Sequence, residues 1–341
     1  MNNKLNKKLK VLFVASEVAP IAKVGGLADV VGALPKALKK LDVDVKIIIP
    51  KYGMIDEKKY PMKKIASEIK IPFYNQEELI NIYSCFLPTH PESLTINSEN
   101  KCGNKNFSTH KNLCFNTGRR GLPETQIEIY LIENLKYLSQ DGVYLTVDAS
   151  SSGEINECQR FIFFTKCVAE IFLPLTFFRK KVRGSSQQQA TEYSRKCGIN
   201  WQPNIFHCHD WSTGFLPLLI KMQVKNQKTL FTIHNFAYQG KYNPQEIFKM
   251  LNLKETDWPT LKERTKNQFE DLNAVQQAIL NANLINTVSP TYAQEILTKE
   301  FGEGLENDLK KRKNDLFGIL NGIDTTFFNP MTDLNLKKIT D

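Results

Sequence analysis

Between residues 10 and 50 the chain alternates strand-like and helix-like patterns in the order that builds a parallel sheet. KVLFVAS (10–16) is a short apolar run of the kind buried on both faces. A loop, EVAPIAKVGG, follows it. LADVVGALPKALKKL then sets Leu27, Val30, Val31, Leu34, Leu38 and Leu41 on one helical stripe. VDVKIIIP (43–50) is a second apolar run, ended by Pro50. Two strands joined through a helix over so short a span lie parallel, with a right-handed crossover.

The same logic recurs along the chain. IEIYLIEN (127–134), PNIFHCHD (203–210), KTLFTIHN (228–235), NLINTVS and FGILNGID (317–324) read as strands. Residues 156–175, STGFLPLLIKMQ, NAVQQAILNA and PTYAQEILT read as helices, the first carrying Arg160 among Phe161, Phe164, Val168, Ile171 and Phe172. Residues 88–122 and 179–202 break the rhythm. Both are polar and read as surface insertions on one large α/β domain.

Composition narrows the function classes. Apolar residues make up 41% and charged residues 24%, an ordinary globular balance. No run of 18 apolar residues occurs, so no spanning helix is expected, and neither a signal nor a transit peptide is evident before the first strand. The seven cysteines are odd in number and form no CxxC pair, against a disulfide framework or a four-cysteine metal site. The net charge of +9 favours anionic partners without choosing among them, and no nucleic-acid-binding pattern accompanies it. A cytoplasmic protein that binds neither nucleic acid nor membrane is expected.

Polar residues gather where strands end, which is where open parallel sheets bind ligands. Lys23-Val24-Gly25-Gly26 lies between the first strand and helix. Paired glycines admit close approach to the backbone, and a helix N-terminus favours anions, so the loop suits a phosphate; a tight turn with a solvent lysine is the alternative. Asp29 either binds sugar hydroxyls or complements the helix dipole. In His207-Cys208-His209-Asp210-Trp211 alternation puts both histidines on one face. A polar strand end facing a cleft is the reading here; a metal set lacks further ligands, and structural histidines are the other alternative. His234-Asn235 ends the next strand in the same way. Asn321-Gly322 ends the last strand or marks a turn. Tyr238 and Trp211 either stack on sugar rings or pack.

Six blocks together carry a resemblance. KVLFVASEVAPIAKVGGLADVVGALPKAL, FHCHDWSTGFLP, FTIHNFAYQG, TVSPTYAQEI, FGEGLENDLKKR and GILNGIDTTFFNP occur in that order and resemble the bacterial glycogen synthase and plant starch synthase family. The resemblance implies a Rossmann-like parallel sheet with helices on both faces, the N-terminal half of a two-domain GT-B architecture. It implies transfer of glucose from ADP-glucose to the non-reducing end of an α-1,4-glucan with retention. Neither cofactor nor metal is implied, ADP-glucose being a substrate. Lys23, Gly25 and Gly26 match positions near the donor phosphates and glucose, and His209 matches a cleft histidine beside the transferred glucose. Lys23 and His209 are thus the expected catalytic residues. Glu17, Asp29, His234, Asn235 and Asn321 match further cleft positions with positioning roles.

The chain departs from the family in three places. Asn156 stands where an aspartate is usual, and Glu303 where an aromatic is frequent. After Asn329-Pro330 the family continues into a second domain. Residues 1–330 are therefore expected to form the acceptor-side half of the cleft and 331–341 the start of a linker, with the chain inactive alone unless a separate C-terminal domain joins it. A non-catalytic glucan-binding or regulatory protein derived from a synthase is the alternative. A bacterial cytoplasm is the expected location, a plastid the alternative.

Overall fold

In a computed structural model of the chain, the residues described are 8–87, 126–145, 155–173, 195–224, 226–253, 271–325 and 328–331. Strand β1 (Lys10–Val14) leads through helix α1 (Gly26–Lys40) to β2 (Asp44–Pro50), as the first fifty residues predict. α1 carries Asp29 in its first turn and Lys39 and Lys40 in its last, both favourable to the helix dipole. It buries Leu27, Ala28, Val31, Gly32 and Pro35. Gly32 is needed there, because a Cβ would lie 2.6 Å from the carbonyl oxygen of Ala19.

The remaining strands are β3 (Lys63–Phe73), β4 (Gln76–Phe86), β5 (Glu128–Glu133), β6 (Ile205–His209), β7 (Lys228–Ile233), β8 (Lys241–Tyr242), β9 (Leu272–Asn273), β10 (Leu284–Thr287) and β11 (Leu316–Gly318). The further helices used below are α2 (Glu157–Phe172), α3 (Leu216–Gln223), α4 (Pro244–Leu251) and α5 (Ala274–Asn281). Among the described residues nine strands form one sheet in the order β11-β10-β7-β6-β1-β2-β5-β4-β3. Seven are parallel; β3 and β4 join antiparallel at the β5 edge. That hairpin is not apparent in the sequence pattern. Its two-residue turn is Tyr74-Asn75, both at positive φ (51° and 58°), without the glycine that usually marks such a turn.

The sheet has two cores. On one face α1 packs Leu27 and Val31 against Val11, Phe13, Ala15, Ile47 and Ile129. On the other α2, α3 and α5 cover Leu12, Val14, Ile48, Phe206, Cys208, Phe231 and Ile285. Helices on both faces and a mostly parallel sheet are the predicted architecture. The chain order also reverses at β1: β2 lies on one side of it and β6 on the other. Such a switch point opens a crevice at the carboxyl ends of the two strands.

Two expectations need correction. The stretch 179–202 is read as surface insertion, yet Cys197, Ile199 and Trp201 are buried, and the Trp201 indole donates to Asp44 at 2.7 Å. The polar residues before them mask an apolar return to the sheet. The strand read at 317–324 ends at Gly318. β11 is an edge strand with one partner, and after the Ile319 amide bonds the Thr287 carbonyl the chain leaves the sheet. Asp324 then pairs with Lys36 of α1 at 2.7 Å. Residues 88–122 and 179–194 lie outside the described residues.

Candidate functional site

The loops after β1 and β6 meet at the switch point, and they carry most of the residues singled out in the sequence. Glu17 is buried just past β1. Its Oε2 accepts the Val24 amide at 2.6 Å and the Gly25 amide at 2.8 Å, and its Oε1 accepts the Tyr144 hydroxyl at 2.9 Å. Two of the backbone donors in the phosphate-suited loop are thus engaged by the chain's own carboxylate, which fixes the loop where α1 begins. Gly25 is the residue before the helix, at φ −131°.

Neither Gly25 nor Gly26 is demanded by backbone conformation or by packing. Both lie outside the left-handed region, and a Cβ on either would meet nothing within 4 Å. The space in front of them is open. Lys23 reaches across the loop to Asp29, with Nζ–Oδ distances of 2.6 and 2.8 Å. Both side chains are about a third or more exposed, at 42% and 34%. Asp29 therefore partners the loop lysine as well as the helix dipole.

The histidines lie on the α1 side of the sheet, as alternation predicts. His207 and His209 contact the Phe13 ring at 4.5 and 5.2 Å, and their own ring centroids are 4.1 Å apart. The Thr232 hydroxyl donates to Asn286 at 2.6 Å and so accepts from His207 Nε2, also at 2.6 Å. His207 Nε2 thus carries a proton, and burial, with His234 adding to it, lowers its pKa to about 3 and keeps the ring neutral. His209 Nδ1 lies 3.0 Å from His234 Nε2, and His209 Nε2 is buried with no hydrogen-bond partner among the described residues. Burial, with His207 and His234 adding to it, holds the His209 imidazole well below its usual pKa of 6.5. The ring is neutral at physiological pH and leaves one nitrogen to be satisfied.

Asp210, the acidic residue of the HCHDW motif, ties two strand ends together. It sits at φ +55°, an uncommon conformation for a non-glycine. Its Oδ1 accepts the His234 amide at 2.7 Å and the Asn235 amide at 3.4 Å, tying the end of β7 to the end of β6. Burial raises its pKa to about 7, partly offset by those two amides and reinforced by Glu17. Asn235 turns its own Oδ1 to the Ala237 amide at 3.1 Å. Asn321 is not brought to the cluster; it is exposed, beyond the end of β11.

Trp211 packs rather than faces solvent, its ring 5.0 Å from Phe161 and 6.3 Å from both Tyr144 and Tyr242. Tyr238 is 65% exposed. With Glu157, Trp211, Gln239, Lys241 and Tyr242 it lines a cavity of about 290 Å³. Asn156 stands at the N-cap of α2. Its Oδ1 accepts the Gln159 amide and caps α2, while Glu157 accepts the Leu145 amide at 3.1 Å. Among the described residues no three His, Cys, Asp or Glu side chains form a metal-binding group, and no helix is long and apolar enough to cross a membrane.

An open doubly wound sheet, with a glycine loop after β1 and a neutral histidine at the end of β6, has the form in which such sheets offer a crevice at the switch point. A family model described as starch synthase catalytic domain matches residues 10–311, and the chain belongs to that family. It is 36% identical over 337 residues to the glycogen synthase of Geotalea daltonii, covering 97% of this chain and 55% of that protein. It is 34% identical over 338 residues to the glycogen synthase of Moorella thermoacetica, covering 97% and 54%. The solved catalytic domain of starch synthase IV from Arabidopsis thaliana, bound to ADP and acarbose, matches with a TM-score of 0.70 at 27% identity, covering 97% of this chain and 55% of that one. The chain spans about half the length of the curated relatives it matches. The family resemblance of the six ordered blocks holds, and the sheet is that of the matched catalytic domain.

Proposed function

We propose that this chain forms the acceptor-side half of a glycosyl-transfer cleft that moves glucose from ADP-glucose to the non-reducing end of an α-1,4-glucan with retention. Residues 1–330 are the domain and 331–341 the start of a linker. The observation that carries the reading is the pairing, at one crevice, of the open Gly25-Gly26 backbone beside Lys23 with the unsatisfied Nε2 of His209. The ADP and acarbose held by the Arabidopsis enzyme support a nucleotide sugar and a glucan as the ligands.

In this reading the bond from glucose C1 to the donor's β-phosphate oxygen breaks, and the electron pair leaves with ADP. The acceptor 4-hydroxyl forms the new bond and gives its proton to the departing phosphate. Negative charge grows on that phosphate. Lys23, released from Asp29, and the N-terminus of α1 stabilise the charge as it develops. His209 stays neutral and orients a glucose hydroxyl through Nε2. Glu17, Asp29, His234 and Asn235 hold the loops that present these groups. No metal or cofactor enters the scheme. A bacterial cytoplasm is the proposed location, in keeping with the bacterial relatives.

The test is a fusion. Residues 1–330 joined to the second half of the Geotalea daltonii enzyme are assayed with ADP-glucose and maltohexaose, beside the chain alone. Transfer by the fusion, none by the chain alone, and loss of at least about a hundredfold in Lys23→Met or His209→Ala are expected. A folded fusion that transfers equally well with either substitution overturns the assignment. A second reading, glucan binding without transfer, rests on Asn156, an uncharged side chain where the resemblance implies a carboxylate. A fusion that binds maltohexaose but never transfers would select it.

A further inference from the structure

Arg160 is fully buried in α2, and among the described residues no carboxylate is hydrogen-bonded to it. Its Nε donates to the Tyr137 carbonyl at 3.2 Å, and its Nη1 to the Gly142 and Val143 carbonyls at 2.8 and 2.9 Å. Nη2 is buried with no hydrogen-bond partner among the described residues. A buried guanidinium with an orphaned nitrogen, the Glu157 charge acting on it without a hydrogen bond, is an expensive way to fill space, and an apolar side chain of similar volume would cost less. What a guanidinium offers is a rigid fork that fixes several carbonyls at once.

The segment it fixes ends at Tyr144. The Tyr144 hydroxyl donates to Glu17 Oε1 at 2.9 Å and lies 3.3 Å from the Ser16 hydroxyl. Burial, then the Glu17 charge, raises the Tyr144 pKa well above its usual value, so the phenol keeps the proton it donates. A second limb starts from the same side chain. The guanidinium carbon lies 5.5 Å from the Tyr52 ring centroid, and the Tyr52 hydroxyl donates to the Ser16 carbonyl at 2.8 Å. Both limbs converge on Ser16-Glu17. From there Glu17 Oε2 holds the Val24 and Gly25 amides.

We infer that Arg160 is a positioning residue for the β1–α1 loop, acting through Tyr144, Tyr52 and the Glu17 carboxylate to fix the Val24 and Gly25 amides at the edge of the crevice. Its relevance to transfer rests on the proposed function; the relay itself does not. A residue on one face of the sheet thereby sets the shape of a loop that begins the helix on the other face.

The experiment is amide hydrogen exchange on the free chain, wild type against Tyr144→Phe, Arg160→Lys and the double variant. Tyr144→Phe and Arg160→Lys are each expected to speed exchange at Val24 and Gly25 by about tenfold, with core amides of β1 and β6 within about twofold of wild type. The double variant is expected to match Arg160→Lys alone, because both act on one relay. Equal acceleration everywhere would mean that Arg160 only stabilises the fold, and unchanged Val24 and Gly25, or additive effects, would break the relay. Any of these overturns the inference. Should Arg160→Lys not fold, Tyr144→Phe and Tyr52→Phe, each removing one oxygen, carry the same local test. No donor or acceptor is present, so failure of the transferase reading leaves this result untouched.

Discussion

Two loops leave adjacent parallel strands at the same end of the sheet and are built in opposite ways. The loop after β6 is closed by its own chain. Trp211, Ser212 and Thr213 are buried, and a Cβ on Gly214 would sit 2.4 Å from the Ala274 carbonyl oxygen. The loop after β1 is held from behind by Glu17 and left open in front, where Cβ atoms on Gly25 and Gly26 would touch nothing. Glycine serves packing in the first loop. In the second it keeps clear a space that no described part of the chain fills. The contrast separates residues that hold the crevice from those that face its occupant.

The largest expected effect is on the closed side, on acidification. His207 is pushed down to about 3 by burial and by His234, and His234 down to about 4 by burial. With His209 they remain neutral in the folded chain, while unfolded histidines protonate near 6.5. Their contribution is therefore full above 6.5 and is lost as pH falls towards 4. Asp210 opposes them: its pKa, raised to about 7, lets the folded chain take up a proton that the unfolded chain accepts only near 3.8. Three histidines outweigh one aspartate. Stability in urea should fall from pH 6.5 to 4.5 by about 1.4 kcal/mol per pH unit for each net proton. Asp210→Asn should steepen that fall; an unchanged slope would show that the aspartate is not buried as described.

Next in size is Gly214→Ala, expected to cost about 3 kcal/mol in urea unfolding through overpacking against Ala274. Gly25→Ala is its mirror, within about 1 kcal/mol of wild type because its backbone suits any residue and its Cβ has room. If the two substitutions cost the same, the comparison fails. For ligand affinity the order should invert, with Gly25→Val weakening ADP-glucose binding to the fusion by about tenfold or more, read by calorimetry. The smallest effect should be Lys23→Met on stability, under about 1 kcal/mol, because its pair with Asp29 is exposed. A larger loss would make Lys23 a structural residue.

Much of this was legible in the residues themselves. The apolar runs and the helical stripe of α1 gave the parallel sheet, because side-chain period reports directly which faces are buried. His207 and His209 fell on one face by alternation alone. What was not legible depended on contacts between distant parts of the chain. Glu17 could be named from a motif, but its grip on Val24, Gly25 and Tyr144 needs β5 and α1 brought together. The positive φ of Asp210 is invisible where no glycine marks it. An unused signal was the charge set inside the apolar run of α2, Arg160 together with the buried Lys166 and Glu170.

The segment after β11 has a consequence for joining. From the far edge of the sheet it returns to α1, where Asp324 binds Lys36 and the Phe328 ring lies 6.0 Å from the Lys23 ammonium. Anything covalently attached beyond that point begins its search at the mouth of the crevice. A short tether rooted there raises the local concentration of its cargo to the millimolar range. A partner joined at residue 330 therefore needs little intrinsic affinity to close over the site, whereas the same partner supplied free in solution would have to find it by strength of contact alone.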